Sequence, residues 1–196
     1  MRITGGLLRG MELAVPRTGA IRPTQESVRE ALFATLAPEL PGCIFADLFS
    51  GSGAAGLEAL SRGASRAIFV ERDARHAQTL EKNISAAVAR GLDPSAAGVV
   101  RCDAFRWAAG PERGVPASIV FADPPYDGAD EACTRLMASL AASGRLRRGG
   151  LFAAESAAAR PCGTCKKEEE TPPWDLLRDR RYGNSRIRIW RLAAPA

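Results

Sequence analysis

Apolar and polar positions change period several times along this chain. Residues 1–4 and 11–15 alternate on either side of Gly5-Gly6-Leu7-Leu8-Arg9-Gly10, which predicts two short strands joined by a turn. Val28, Ala31, Leu32 and Thr35 then recur at helical spacing, between Pro23 and Pro38, and predict a helix over 24–37. From Cys43 the period switches repeatedly between two and 3.6. Strands are predicted at 44–48, 67–70, 99–101, 117–122 and 149–155. Helices are predicted at 54–62, 73–90 and 130–143. Ala77, Leu80, Ile84 and Val88 form the apolar stripe of the longest, with Asp73 suited to cap its start and Gly91 its end. Residues 176–181 and 186–192 flank Tyr182-Gly183-Asn184-Ser185, a hairpin signal.

Alternation of this kind implies an α/β fold with a mostly parallel sheet, helices on both faces and an antiparallel end. The expected organisation is a hairpin-and-helix extension over 1–40, covering a sheet edge or gripping a partner, and one α/β domain over 41–196. Residues 157–173, with a Lys-Lys-Glu-Glu-Glu run and a Pro-Pro, read as a solvated loop.

Composition changes this picture little. The chain has 196 residues, 46% of them hydrophobic, enough for one real core. No apolar run approaches the ~20 residues of a membrane helix. Charges and glycines interrupt the first ten residues, so a signal region is not expected, and the expected compartment is the cytoplasm. A monomer is the default expectation. The net charge of +5 comes almost wholly from arginine, since lysine occurs only at 82, 166 and 167. That balance suits a polyanion, arginine forking onto phosphate, and equally an arginine-preferring genome. The five cysteines are widely spaced and do not suggest a disulfide framework. Cys162-Gly163-Thr164-Cys165 lacks the second pair a zinc site needs, and no metal is expected.

Two segments carry chemistry. The first is Ala46-Asp47-Leu48-Phe49-Ser50-Gly51-Ser52-Gly53-Ala54-Ala55-Gly56. Glycines at the turn from strand to helix let a ligand approach backbone, and the helix start offers N–H groups. In open α/β sheets, ligands bind beyond the carboxyl ends of the strands. The segment satisfies G-x-G-x-x-G, with Glu71 at the expected distance to accept ribose hydroxyls. It therefore fits a nicotinamide cofactor and S-adenosylmethionine equally. Asp103, ending the third strand, could accept from an adenine amine or cap the helix at 104. Asp47 could meet a cofactor amine or hold loop amides.

The second segment, Asp123-Pro124-Pro125-Tyr126, separates the two cofactors. Two prolines force a rigid extended path after the strand. Asp123 and a prolyl carbonyl supply acceptors, and Tyr126 a ring on which a base stacks for ~1–3 kcal/mol. Acceptors on both N–H groups of a base amine help aim its lone pair at a methyl group. Positioning then supplies much of the catalysis. Hydride transfer needs none of this.

The chain resembles the RsmD family of bacterial small-subunit rRNA guanine-N2 methyltransferases. The resemblance rests on Met1-Arg2-Ile3-Thr4-Gly5-Gly6, Arg22-Pro23-Thr24 with Val28-Arg29-Glu30, Asp47 to Gly56, Phe69-Val70-Glu71, Asp123 to Tyr126, and Tyr182-Gly183. It implies a class I S-adenosylmethionine-dependent methyltransferase fold, Rossmann-like, with seven strands. It implies methylation of N2 of one guanine in 16S rRNA during small-subunit assembly. Carried over, Asp47, Ser50, Gly51 and Gly53 line the methionine end of the donor, with Phe49 beside them. Glu71 takes the ribose with Arg72 adjacent, and Asp103 the adenine with Ala104 adjacent. Asp123, Pro124, Pro125 and Tyr126 hold the guanine. Arg2, Arg9, Arg22, Thr24 and Arg29 form the expected RNA-gripping face. Ser50 stands where the family more often has alanine, and the Cys162–Cys165 stretch is not a family feature. The competing classes are another DNA or RNA base-amine methyltransferase, a nicotinamide-dependent oxidoreductase, and a non-catalytic RNA-binding protein.

Overall fold

A computed structural model describes residues 1–15, 24–111, 114–124, 128–157 and 174–194, with only the backbone of Thr24 and Gln25. Of the expected loop at 157–173, Ala157 is instead the last residue of a strand, and 158–173, including Cys162 and Cys165, lie outside the described residues. The chain divides into two compact units, Met1–Ala104 and Phe105–Ala196. No helix among the described residues is long and apolar enough to cross a membrane.

The first unit is built on three parallel strands in the order β3-β2-β1: β1 Ile44–Leu48, β2 Arg66–Val70 and β3 Ala97–Val100. Helices α1 (Thr24–Leu36), α2 (Ala54–Ser61) and α3 (Ala74–Val88) belong to it. Asp73 caps α3, accepting from the Arg75 and His76 amides at 2.8 and 3.1 Å. Phe33 of α1 packs on Phe45 of β1, ring centroids 5.8 Å apart, and both are fully buried. Helix α2 is buried from Ala55 to Ser61, because Gly56 removes the only bulk that would separate it from β2. A Cβ at Gly56 would stand 2.2 Å from the Phe69 ring.

Residues 1–15 form no strands. One antiparallel bridge, Arg2 to Glu12, with amide bonds from Ile3 to the Met11 carbonyl and from Leu13 to the Met1 carbonyl at 2.9 Å each, keeps the expected pairing to a few residues. The reason is competition for backbone groups. The amides of Thr4 and Gly5 bond to the Glu58 carboxylate at 2.9 Å each, and those of Leu7 and Leu8 to the Ser61 carbonyl and hydroxyl at 2.8 Å. Ile3, Leu8 and Met11 are buried in the same interface. Gly6, at φ +75°, lies so close to α2 that a Cβ would meet the Ser61 carbonyl oxygen at 1.7 Å. The N-terminal segment is thus part of the first unit, riveted to α2.

The second unit has the strand order β4-β5-β7-β6. Its strands are β4 (Ala117–Ala122), β5 (Leu146–Ala157), β6 (Trp174–Tyr182) and β7 (Ser185–Leu192). β4 and β5 are parallel, and β7 runs antiparallel to both β5 and β6. Helix α4 (Ala104–Ala109) opens the unit, and α5 (Ala129–Ser143) buries Cys133, Leu136 and Leu140. β5 is buried from Leu151 to Ser156, as a central strand must be. β6 is the outer strand, exposed from Asp175 to Arg181. The β5 strand starts three residues earlier than its apolar run predicts. Gly149-Gly150 hides that start, yet Gly150 is required: a Cβ there would meet the Arg147 and Ser118 carbonyl oxygens at 2.7 and 2.9 Å.

Candidate cofactor and acceptor sites

In the first unit, β1 hands over to α2 through a loop with three residues at positive φ: Phe49 at 60°, Gly51 at 53° and Gly53 at 80°. Phe49 is the only non-glycine residue of this kind among the described residues. A side chain in that region costs ~1–2 kcal/mol, and such strain gathers where a ligand is clamped. The loop is tied at several points. The Ser50 hydroxyl donates to the Asp47 carbonyl at 2.7 Å and the Val70 carbonyl at 3.2 Å. The Gly53 amide donates to the Ser50 carbonyl at 2.7 Å. The Asp47 carboxylate, buried, accepts from the Gly56 amide at 2.9 Å, so of its two expected roles the structure displays the amide-holding one.

Glu71 follows β2 and is buried. One carboxylate oxygen accepts from the Gly51 amide at 2.9 Å and the other from the Asp73 amide at 2.8 Å. A carboxylate has about four acceptor positions, so two N–H bonds leave capacity for two hydroxyls. His76 Nδ1 lies 3.9 Å from the same carboxylate. Next to Glu71, Arg72 is exposed and reaches Asp103 at 3.6 Å, linking the ends of β2 and β3. Asp103 is half-buried and immediately precedes α4, whose first residue, Ala104, is buried. The structure therefore gathers Asp47, Phe49, Ser50, Gly51, Gly53, Glu71, Arg72 and Asp103 at the carboxyl ends of β1, β2 and β3.

In the second unit, Asp123 follows the last residue of β4, with Pro124 buried behind it. Burial, followed by the charge of nearby Glu155, pushes the Asp123 carboxyl up to about 7. Pro125 and Tyr126 lie outside the described residues.

The expected RNA-gripping residues separate. Arg9 is exposed, and Arg2 is exposed beside Glu26 at 3.3 Å. Arg22 and the Thr24 side chain lie outside the described residues. Arg29 has to be corrected: it is buried, its Nε 3.4 Å from Glu58 and its Nη2 donating to the Arg2 carbonyl. The buried Glu58 charge draws it inward, so it braces the N-terminal segment instead of facing a phosphate.

Sequence reasoning passed over three side chains. Glu58 is fully buried and accepts from Thr4, Gly5, Arg29 and Arg62. Asn83 bonds the Ser52 carbonyl at 2.8 Å and both backbone groups of Ala14 at 2.9 Å, tying the glycine loop to the N-terminal segment. Glu155 is buried in the last turn of the β5 pleat. A signal existed for two of them: Glu58 and Glu155 are single charges inside runs that are otherwise apolar or small.

A solved Escherichia coli chain, yhhF, provisionally described as a methyltransferase, matches 100% of this chain and 99% of its own, with TM-score 0.80 and 36% identity. The solved chain HI0767 of Haemophilus influenzae, provisionally described as a methylase, matches with TM-score 0.76 and 28% identity over 98% of each chain. The seven strands and intervening helices thus make the class I methyltransferase fold that the family resemblance implies. Among curated proteins, "Ribosomal RNA small subunit methyltransferase D" of Haemophilus influenzae is 30% identical over 190 residues, 97% of this chain and 93% of that protein. The protein of the same name from Escherichia coli K12 is 44% identical over 126 residues, 64% of this chain. That match spans only 60% of the Escherichia coli protein's length. The model for the family described as "Conserved hypothetical protein 95" matches residues 1–191, and with these relatives it shows that the chain belongs to that family, the RsmD family.

Proposed function

We propose that this chain is an S-adenosylmethionine-dependent methyltransferase that modifies the exocyclic N2 of a guanine in 16S rRNA during small-subunit assembly, acting as a cytoplasmic monomer. The observation that carries the proposal is the Asp123 carboxyl at the end of β4, half-buried and backed by Pro124. In a family whose curated members are named for small-subunit rRNA methylation, an acceptor there is what a base amine requires.

The donor suits the loop after β1. A Cβ at Gly51 would have no neighbour closer than the Phe49 carbonyl oxygen at 3.9 Å, so the backbone there stands open. Glu71 presents a carboxylate against that same residue. In this reading Asp47, Phe49, Ser50, Gly51 and Gly53 hold the methionine end, Glu71 and Arg72 the ribose, and Asp103 and Ala104 the adenine. When bound, S-adenosylmethionine supplies a methyl group already activated by a sulfonium. Asp123 accepts an N–H of the target amine, Pro124 and Pro125 fix its direction, and Tyr126 stacks the base.

The test incubates the protein with tritiated donor and 30S particles or 16S rRNA lacking the mark, and then maps the labelled nucleotide. Label at a guanine N2 supports the reading; absence of label, or label on another base, rejects it. Two variants refine it. Glu71→Ala removes the acceptor for two loop amides and two hydroxyls, and lowers donor affinity at least about tenfold by calorimetry. Arg9→Glu weakens rRNA binding several-fold and flattens its salt dependence by roughly one counterion in a filter-binding series, as loss of a phosphate contact requires. Unchanged affinity would remove Arg9 from the RNA face.

A further inference from the structure

We propose that Glu155 and Ser185 are positioning residues of the acceptor site: Glu155, held by Ser185, forms with Asp123 a carboxyl pair that receives the proton given up by the base amine. The inference rests on the methyl-transfer reading and names how that site disposes of its proton.

The strand register brings the groups together. β4 and β5 are parallel, and Ala122 stands beside Ala154. Continuing that register by one residue past the end of β4 sets Asp123 beside Glu155, with neighbouring strands ~4.8 Å apart. On the other side of β5, Glu155 is paired with Ile187 of β7, and Ser185 lies two residues along on that face. The Ser185 hydroxyl donates to Glu155 Oε1 at 2.7 Å, and both residues are buried. Two acids side by side inside a protein are unfavourable unless one holds a proton. A hydrogen-bond donor on Glu155 suits its ionised form, so the proton falls to Asp123.

The surrounding charges agree. Arg188, paired with Ala154 and hence on the opposite face, is engaged by Asp130 and lies 3.5 Å from the Ser156 hydroxyl. Arg186 is engaged by Asp179. Burial pushes the Cys133 thiol of α5 up to about 11, Arg188 pulling it down and Asp130 and Asp123 pushing it up, so it stays neutral. Burial and then Glu155 lift Asp123 to about 7, which makes it a base matched to neutral pH.

The chemistry balances. The amine nitrogen forms a bond to the methyl carbon as the carbon–sulfur bond breaks, its electron pair staying on sulfur. The nitrogen then carries one proton too many, which passes to the Asp123 carboxylate and from there to water as product leaves. The donor's positive charge departs as that proton.

The experiment records methyl transfer to 16S rRNA against pH for the wild type, Glu155→Gln and Ser185→Ala. Activity of the wild type rises through about pH 7. Glu155→Gln removes the neighbouring charge: the midpoint falls by about one unit and the plateau by about tenfold, with KM for rRNA unchanged. Ser185→Ala removes the donor that favours ionised Glu155, so less negative charge faces Asp123 and its midpoint also falls, by less than in Glu155→Gln. Graded shifts in one direction with KM unchanged are something a merely structural role would not produce. A second readout needs no activity. Stability from Asp123 is complete below about pH 4 and lost as pH rises through about 7, and Glu155→Gln flattens that loss in thermal unfolding. A wild type that transfers no methyl group at any pH defeats the functional reading, while the unfolding curves still decide the pair. An active wild type whose profile and unfolding curves overlay those of Glu155→Gln overturns the pair. If Glu155→Gln does not fold, the Ser185→Ala midpoint decides: a downward shift supports the pair and no shift overturns it.

Discussion

Asp123→Ala should lower methyl transfer about a thousandfold and leave donor affinity within about twofold. Under the proposed mechanism, Asp123 aims the amine and takes its proton, whereas the groups proposed to hold the donor all belong to the first unit. The same substitution should stabilise the protein at pH 8. A carboxyl lifted to about 7 by burial and by Glu155 is ionised at pH 8 at the fold's expense. Three units of pKa correspond to at most about 4 kcal/mol. Urea unfolding at pH 5 and pH 8 measures the difference, and the variant's gain should be larger at pH 8. Activity within tenfold of wild type would remove Asp123 from the chemistry. Loss of activity accompanied by loss of donor binding would mean that the substitution disturbed the fold.

Glu58→Ala should cost about 3–5 kcal/mol, the largest single loss of stability we anticipate. Glu58 is wholly buried in α2, and removing it strands several groups at once. The Thr4 and Gly5 amides lose their acceptor, and Arg29 keeps a buried charge without its carboxylate. Burial pushes the Glu58 carboxyl up, but bonds from the Thr4 amide, the Thr4 hydroxyl and Arg62 outweigh it and hold it below the usual carboxylate range. The stability it contributes is therefore present above about pH 4.5 and lost as pH falls through its lower native value. Chemical denaturation at neutral pH gives the magnitude. Hydrogen exchange of the Thr4 and Gly5 amides then shows whether the N-terminal segment is released from α2. A loss below about 1 kcal/mol would mean that Glu58 is dispensable.

The fold was largely legible because each element of the α/β alternation carries its own period. Strands Ile44–Leu48 and Ala117–Ala122 fall where the pattern places them. The failures have physical causes. Residues 1–15 look like strands because their apolar positions alternate, but the alternation serves docking onto α2, and the backbone bonds go to Glu58 and Ser61. The site was legible wherever residue type and strand end coincide, as for Glu71 after β2 and Asp123 after β4. Arg29 was misread because charge alone does not reveal which way an arginine points. Its partner Glu58 is 29 residues away in sequence, and only the fold brings them together. Asn83 was invisible for the same reason: an amide in the middle of a helix looks like surface until Ser52 and Ala14 close on it.

The strand at the rim of the second unit bears on how molecules of this protein meet. A free sheet border invites another polypeptide to add itself there, and long apolar borders drive aggregation. Here that border carries Asp175, Arg178, Asp179, Arg180 and Arg181, all pointing into water. Charge along a rim strand hinders such pairing, so this stretch works against self-templating.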